Sequence, residues 1–234
     1  MIAEYRSAAT THHFTHWLIQ AGASPDLIRA GLKIVADELD HAALAAEVCV
    51  AAGAGPASST PIAPASLRLV EPPPDHDGFI ETILDQTVAL YCVGETVAVP
   101  LFRMLNQRCD QPTARRALDR VLRDEPRHSR FGWTLLDWAL ATEPIPHTVH
   151  YLQNGVANHV DHLLRAYLAI LSPNEPAPIE SGTTRLLSVT DDERRWGVAA
   201  AGDYASVAYR ACATVVRRRF AERGLTLELP TPSA

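Results

Sequence analysis

The chain contains DELDH at residues 37–41 and DEPRH at residues 124–128, two copies of the pattern Asp-Glu-x-x-His. A Glu and a His three residues apart on a helix lie on the same face, about one turn from each other. Such a pair can bind one side of a metal ion, and two pairs on two helices form half of a carboxylate-bridged dimetal centre. A single copy is weak evidence because this spacing arises by chance, but a repeated copy is much less often accidental.

Helical periodicity dominates the sequence around these motifs, and patterns typical of β-strands are almost absent. Ser24 is a good N-cap, and Pro25 suits the first turn of the helix that follows. A stretch rich in Pro, Gly, Ser and Ala at residues 53–77 predicts a linker without a stable helix. The predicted helices cover about residues 3–21, 25–52, 78–108, 113–141, 148–171 and 190–224.

The loop lengths predict how these helices are arranged. Tight turns join the first helix to the second and the third to the fourth, so each pair is expected to be antiparallel. A connection of roughly 24 residues separates the pairs and is long enough to run back along a bundle. The sequence therefore predicts an all-α fold, with a four-helix bundle and one long crossover at residues 1–142. Additional helices at residues 143–234 are expected to pack on that bundle within the same domain.

Each helix pair is expected to supply one more Glu, from its first helix and at the height of its Glu-x-x-His pair. Glu95 lies about 15 residues before one turn and Glu125 about 13 residues after it, so both are roughly 20 Å from that turn. In the other pair, Glu4 is the acidic residue of the first helix, and its height is closer to that of His41 than to that of Glu38. The predicted metal ligands are Glu4, Glu38, His41, Glu95, Glu125 and His128.

The composition of this ligand set favours particular metals. Four carboxylates inside a bundle are prohibitively costly without cations, and two divalent ions balance their charge. Carboxylate and imidazole ligands suit iron or manganese, with zinc as an alternative on ligand softness alone. The predicted cofactor is therefore a pair of iron ions, with manganese as the alternative.

Other residues are candidates for supporting roles. Asp37 and Asp124 each lie four residues before a ligand His, where a carboxylate can accept the N–H of the His on the partner helix. The alternative is that both are solvated surface residues. Thr11, Tyr91 and Cys92 lie one or two turns from the proposed ligands. They either line a substrate pocket or belong to the ordinary core.

The order of these motifs resembles that of a known superfamily. The pattern Glu4-x-x-Ser7, Asp37-Glu38-x-x-His41, Gly94-Glu95-Thr96 and Asp124-Glu125-x-x-His128 is similar to the ferritin-like diiron-carboxylate superfamily, above all to bacterial ferritin-like domain proteins. The likeness covers about residues 1–142.

This resemblance implies a ferritin-like bundle that binds two iron ions. It further implies an oxidoreductase that uses O₂ to hydroxylate, desaturate or N-oxygenate a small organic substrate. An iron-handling ferroxidase and a dimanganese catalase-like enzyme are the alternatives that the motifs leave open. An electron donor and a second copy of the chain, in a homodimer, are further candidate partners.

Two prolines depart from the regular pattern. Pro126 lies inside the second motif, and Pro100 lies five residues after Glu95. A proline inside a helix removes one backbone hydrogen bond at a cost of roughly 3 kcal/mol. The prolines either open a helix beside the site to admit a substrate or form kinks that packing absorbs.

Charge and composition exclude several classes of function. The net charge of −6 provides no basic surface for nucleic acid. We expect no membrane span, because no run approaches the roughly 20 apolar residues that one requires. The first residues lack the features of a signal peptide. The cysteines, Cys49, Cys92, Cys109 and Cys212, are scattered. We therefore expect a cytoplasmic protein in a reducing compartment.

Overall fold

Helices make up most of the chain in the computed structural model, which describes residues 2–55, 62–67, 69–142, 151–153, 155, 189–227 and 229. Within these ranges there is no β-strand, so the prediction of an all-α protein is confirmed. The helices are α1 (Ile2–Gln20), α2 (Pro25–Ala51), α3 (Pro64–Leu67), α4 (His76–Gln86), α5 (Glu95–Arg108), α6 (Pro112–Thr142), α7 (Asp191–Arg195), α8 (Ala201–Ala211) and α9 (Arg217–Ala221).

Two π-helical segments connect consecutive helices without a break. The first, Thr87–Gly94, joins α4 to α5, and the second, Cys212–Val216, joins α8 to α9. One continuous helix therefore runs over His76–Arg108. The sequence pattern predicts this helix, but neither of the two π segments was predicted from the sequence.

The first hairpin forms where the sequence predicted it. Gly22 has a φ of 72° and turns the chain, since this left-handed region favours glycine. The side chain of Ser24 then accepts a hydrogen bond from the backbone N–H of Leu27 at the start of α2. Residues 24 and 25 thus act as the predicted cap and first-turn proline.

The long helices contact one another in a closed cycle. Helix α1 packs along α2, α2 packs on α6, the helix over His76–Arg108 packs along α6, and α4 contacts α1. One apolar cluster, which includes Phe14, Leu18, Ile34 and Leu135, fills the space among α1, α2, α4 and α6. The space enclosed by this cycle contains the candidate site described below.

A second apolar cluster joins the C-terminal helices to the rest of the chain. Cys92, Trp133 and Leu136 pack there with Cys212 and Phe220. The ring of Phe220 meets that of Trp133 edge-on, with 5.0 Å between the ring centroids. Residues 189–227 therefore share a core with α5 and α6.

The structure corrects two details of the predicted helices. The linker predicted to lack helix contains the one-turn helix α3. The predicted C-terminal helix is interrupted between α7 and α8, where Gly197 has a φ of 81°. Thr190 caps α7 through a reciprocal pair of hydrogen bonds with Glu193. Most of the helix predicted at residues 148–171 lies outside the described residues.

The expectation that no segment has the length and apolarity of a membrane span is wrong for the helix over His76–Arg108. An 18-residue window in this helix has a mean hydropathy of 1.5. This is weak evidence for a span, because the core helix of a globular protein can have the same length and composition. Here 44% of the window is buried against the rest of the chain.

Candidate metal centre

The structure brings all six predicted ligands to the same region of the helix cycle. Glu4 lies in the first turn of α1, and Glu95 begins α5 directly after the first π segment. The two Glu-x-x-His pairs lie on the facing sides of α2 and α6, and all four of their side chains are buried. Those four residues are Glu38, His41, Glu125 and His128.

The ligands form two overlapping groups that can each hold a metal ion. Glu4, Glu38 and His41 form one group, and Glu38, Glu95 and His128 form the other, with the donor atoms of each group within 4.8 Å of one another. Because Glu38 belongs to both groups, it lies where a carboxylate can bridge two ions.

The individual distances fit ligation by a single ion in each group. His41 Nδ1 lies 3.6 Å from Glu38 Oε2. His128 Nδ1 lies 3.4 Å from Glu38 Oε1, 3.8 Å from Glu125 Oε2 and 3.9 Å from Glu95 Oε2. Two atoms that are each about 2.1 Å from one metal ion are at most about 4.2 Å apart. All four separations are within that limit.

Three of the nitrogen and oxygen atoms that could ligate a metal here have no hydrogen-bond partner among the described residues. They are His41 Nδ1, His128 Nδ1 and Glu125 Oε2, and each is fully buried. Buried polar atoms are nearly always paired, and an unpaired one costs about 1–3 kcal/mol. Three such atoms at one site are compatible with binding of a metal ion, which accepts electron pairs from nitrogen and oxygen.

The other ring nitrogen of each His contacts an Asp on the opposite helix. His128 Nε2 lies 3.4 Å from Asp37 Oδ2, and His41 Nε2 lies 3.3 Å from Asp124 Oδ2. An Asp in this position fixes the N–H at Nε2 and leaves the lone pair of Nδ1 directed into the site. The two contacts cross between α2 and α6 in opposite directions, and both Asp side chains are buried.

Basic side chains neutralise the two Asp residues on the outer side of the site. Arg127 Nη2 lies 2.6 Å from Asp37 and 2.9 Å from Asp124, so one guanidinium group joins both carboxylates. Lys33 also pairs with Asp37, and Arg120 pairs with Asp124 at 2.6 Å. The sequence analysis did not identify these three cations. Lys33 and Arg120 each lie four residues before an Asp, which was the signal available for them.

The electrostatics of the carboxylates reflect their crowding. Burial and the adjacent Glu95 raise the pKa of Glu125 to about 11. Burial and the contact with Glu38 raise the pKa of Glu4 to about 7. Burial also raises the pKa of Glu95. Burial opposes ionisation of Glu38, but the imidazoles of His128 and His41 lower its pKa to about 2. Without a metal ion, Glu125 therefore retains its proton at neutral pH, and ionisation of Glu4 and Glu95 is disfavoured as well.

The neighbouring carboxylates shift the pKa values of the two His residues in the same direction. Burial lowers the pKa of His41 and of His128, but the neighbouring carboxylates, Glu38 first among them, raise both above the usual value. The carboxylates around the two imidazoles therefore favour positive charge at this site, which is the charge that two metal cations would supply.

The three pocket candidates have different environments. Tyr91 is buried, and its hydroxyl donates to Thr11 Oγ1 across 3.0 Å. Its ring packs between Phe14 and Phe131, at centroid distances of 5.1 and 5.2 Å. Cys92 lies in the separate cluster with Trp133 and Phe220, where burial raises the pKa of its thiol.

A polar network beside Glu95 was not predicted from the sequence. Trp133 Nε1 donates to Thr96 Oγ1 across 3.1 Å, and Thr96 Oγ1 lies 2.8 Å from Ser129 Oγ. These contacts attach the first turn of α5 to α6, beside the two ligands Glu95 and His128.

The two prolines do not end their helices. Pro100 lies inside α5 and Pro126 lies inside α6, and both helices continue beyond them.

Comparisons with protein-family models, with curated proteins and with solved structures yielded no match to this chain.

Proposed function

We propose that residues 1–142 form a ferritin-like four-helix bundle that binds two iron ions, and that the protein is an O₂-activating oxidase or oxygenase. The ligands are Glu4, Glu38, His41, Glu95, Glu125 and His128. This set matches the arrangement in which two helices each supply a Glu and the other two each supply a Glu-x-x-His pair. Helix α1 and the helix over His76–Arg108 supply the single Glu residues here.

One observation carries the proposal: buried and unpaired atoms of His41, Glu125 and His128 lie among two overlapping groups of potential metal ligands. A cluster of four carboxylates deprived of water is strongly unfavourable unless cations are present. A merely structural cluster would have paired its imidazole nitrogens, as the same rings do at Nε2 with Asp37 and Asp124. The Nδ1 atoms are directed into the site instead.

The surrounding residues have defined roles in this account. Asp37 and Asp124 hold the imidazole rings and fix the proton at Nε2. Arg127 links the two Asp residues and thereby connects the two halves of the site on their outer side. Glu38 belongs to both ligand groups, so its carboxylate would be the one shared by two bound ions. Oxygen and nitrogen ligands without a thiolate favour iron or manganese over softer metals.

Once bound by these ligands, two iron ions would supply the redox chemistry for the activation of O₂, and the protein would fix the ligand positions and limit access of water. The small organic substrate has a surface available near the site. A groove of about 400 Å³ is lined by Tyr5, Ala8 and Ala9 of α1 and by Val35 and Leu39 of α2. It borders the helical turns that carry Glu4 and Glu38, and its lining is largely apolar.

The experiment that tests this function begins with protein loaded anaerobically with Fe(II), two ions per chain. The loaded protein is mixed with O₂ and followed by optical and Mössbauer spectroscopy, with His128→Ala as the variant that lacks one ligand. The proposal predicts oxidation of a coupled pair of iron ions in the wild type and none in the variant. Mineralisation of many iron ions per chain would instead indicate iron storage. Rapid peroxide disproportionation with manganese alone would indicate the catalase-like alternative.

A further inference from the structure

Gly132 of α6 lies at the closest contact between α6 and the first π segment. A Cβ atom added at Gly132 would lie 2.4 Å from the backbone carbonyl carbon of Tyr91 and 2.7 Å from the backbone nitrogen of Cys92. Both distances are shorter than any that real Cβ atoms show, and the obstructing atoms include main-chain atoms that no rotamer change can move. The two backbones therefore approach as closely as they do only because residue 132 has no side chain.

The position of this contact relative to the ligands gives it functional meaning. Gly132 lies four residues after His128, and Tyr91 lies four residues before Glu95, so each is about one turn from a ligand. The contact thus lies beside the point where Glu95 and His128 approach each other, with 3.9 Å between Glu95 Oε2 and His128 Nδ1.

The π segment connects this contact directly to Glu95 along the chain. It ends at Gly94, so Glu95 is the first residue of the helix that follows. The side chain of Tyr91 makes contacts of its own with α1, where its hydroxyl bonds Thr11 and its ring contacts Phe14. Local π segments occur frequently at functional sites, where they change the direction of a side chain.

We propose that Gly132 is a positioning residue for Glu95: its backbone contact with the π segment sets the distance between Glu95 and the ligands of α6. This inference rests on the proposed metal-binding function. A Cβ at position 132 must displace the segment by about 1 Å to reach an ordinary contact near 3.4 Å. The displacement affects the metal position that uses Glu95. The other metal position, formed by Glu4, Glu38 and His41 of α1 and α2, should still bind its ion when residue 132 carries a Cβ.

The test is anaerobic titration with Co(II), whose visible absorption reports both the number and the coordination of bound ions. We expect two ions per chain in the wild type and one in Gly132→Ala. The variant Glu95→Gln should also bind one. Because Gly132 acts through Glu95, the double variant should bind one ion as well, with a spectrum like that of either single variant.

A matched control comes from Gly31, which also lies within a helix. A Cβ at Gly31 would meet Oγ1 of Thr15 at 2.7 Å and a ring atom of Phe131 at 3.4 Å, both of which belong to side chains that can move. Gly31→Ala should therefore bind two ions. Circular dichroism of every variant checks that its helices are intact.

Several results would overturn the inference. Folded Gly132→Ala with two Co(II) ions and an unchanged spectrum would do so, as would an additive loss in the double variant. If Gly132→Ala does not fold, Tyr91→Leu decides, because it keeps the backbone contact and removes the ring together with its hydroxyl. Two ions in Tyr91→Leu support the backbone contact, and loss of one contradicts it. Absence of Co(II) and Fe(II) binding in the wild type would refute the proposed function itself.

Discussion

His128 on α6 directs Nε2 toward Oδ2 of Asp37 on α2, at a distance of 3.4 Å, while its Nδ1 faces the cluster of carboxylates. His41 and Asp124 repeat this relationship in the opposite direction across the same pair of helices. The repeated Asp-Glu-x-x-His motif therefore forms a reciprocal pair of contacts, in which each copy supports the imidazole of the other. This reciprocity explains why the Asp belongs to the repeated pattern.

Replacement of Asp37 by Asn tests the support of His128. Asn can still accept a hydrogen bond, but it lacks the charge that holds the ring and pairs with Lys33 and Arg127. Loss of such a carboxylate–histidine contact typically reduces metal affinity 10- to 100-fold. Competition with a fluorescent chelator measures this change. Asp40→Asn is the matched control, since Asp40 is exposed on the same helix, and an equal loss there would argue against a specific role for Asp37.

Glu125→Gln is expected to stabilise the metal-free protein. It should also abolish binding of the metal ion at the position that uses Glu95 and His128. The pKa of about 11 means that folding keeps a proton on this carboxyl group at neutral pH, which costs free energy that Gln does not require. The expected gain is about 1–3 kcal/mol, a common result when strain at a functional site is relieved. Chemical denaturation of metal-free protein measures it. A loss of stability comparable to that of an ordinary buried polar substitution would contradict this account.

The stability of the metal-free protein should fall as the pH rises from about 5 to about 8. The pKa of Glu4 rises from 4.5 to about 7 and that of Glu125 to about 11, so the folded state binds more protons than the unfolded chain above pH 4.5. The raised pKa values of the two His residues act in the same direction. These contributions are complete at low pH and are lost as the pH rises through the folded-state values.

Bound metal should reverse this dependence, because it binds the deprotonated ligands. Thermal unfolding with and without Mn(II), at several pH values, measures the effect. We expect the metal-induced increase in Tm to be larger at pH 8 than at pH 6. An increase that is independent of pH would show that the carboxylates release no protons on binding.

Phe220→Ala tests whether the C-terminal helices belong to the same cooperative unit as the site. Phe220 is fully buried and packs against Trp133 of α6. Truncation of such a ring typically costs 3–5 kcal/mol, whereas Leu39→Ala, at a position 48% exposed, should cost far less. A single unfolding transition that shifts to lower denaturant supports one unit. Two separate transitions would indicate that residues 189–227 unfold independently.

The repeated motif and the helical periodicity were sufficient to predict the all-α fold, the first hairpin and the residues that converge. These features depend on local spacing and on capping chemistry, as at Ser24, and both can be read from the residues. Glu95 and Glu4 were predicted as ligands because they lie about as far along their helices as the motif residues do. The structure places both beside the motif residues.

The remaining features depend on interactions that leave no local pattern. A π segment such as Thr87–Gly94 shifts hydrogen bonds by one residue and does not require an unusual residue type. Gly132 looks like any glycine in a helix until the backbone of Tyr91 is known to lie against it. The composition of the helix over His76–Arg108 does not show whether the helix is buried against neighbouring helices or crosses a membrane, because both environments favour similar apolar residues.

The most direct test of the central claim is the number of metal ions bound per chain after anaerobic equilibration with Fe(II). Wild-type protein should bind two ions, and Glu38→Ala should bind neither tightly, since Glu38 belongs to both ligand groups. Glu47→Ala is the control, because Glu47 lies on the same helix but is exposed and pairs with Arg116. Fewer than one ion per wild-type chain, or two ions retained in Glu38→Ala, would contradict the account.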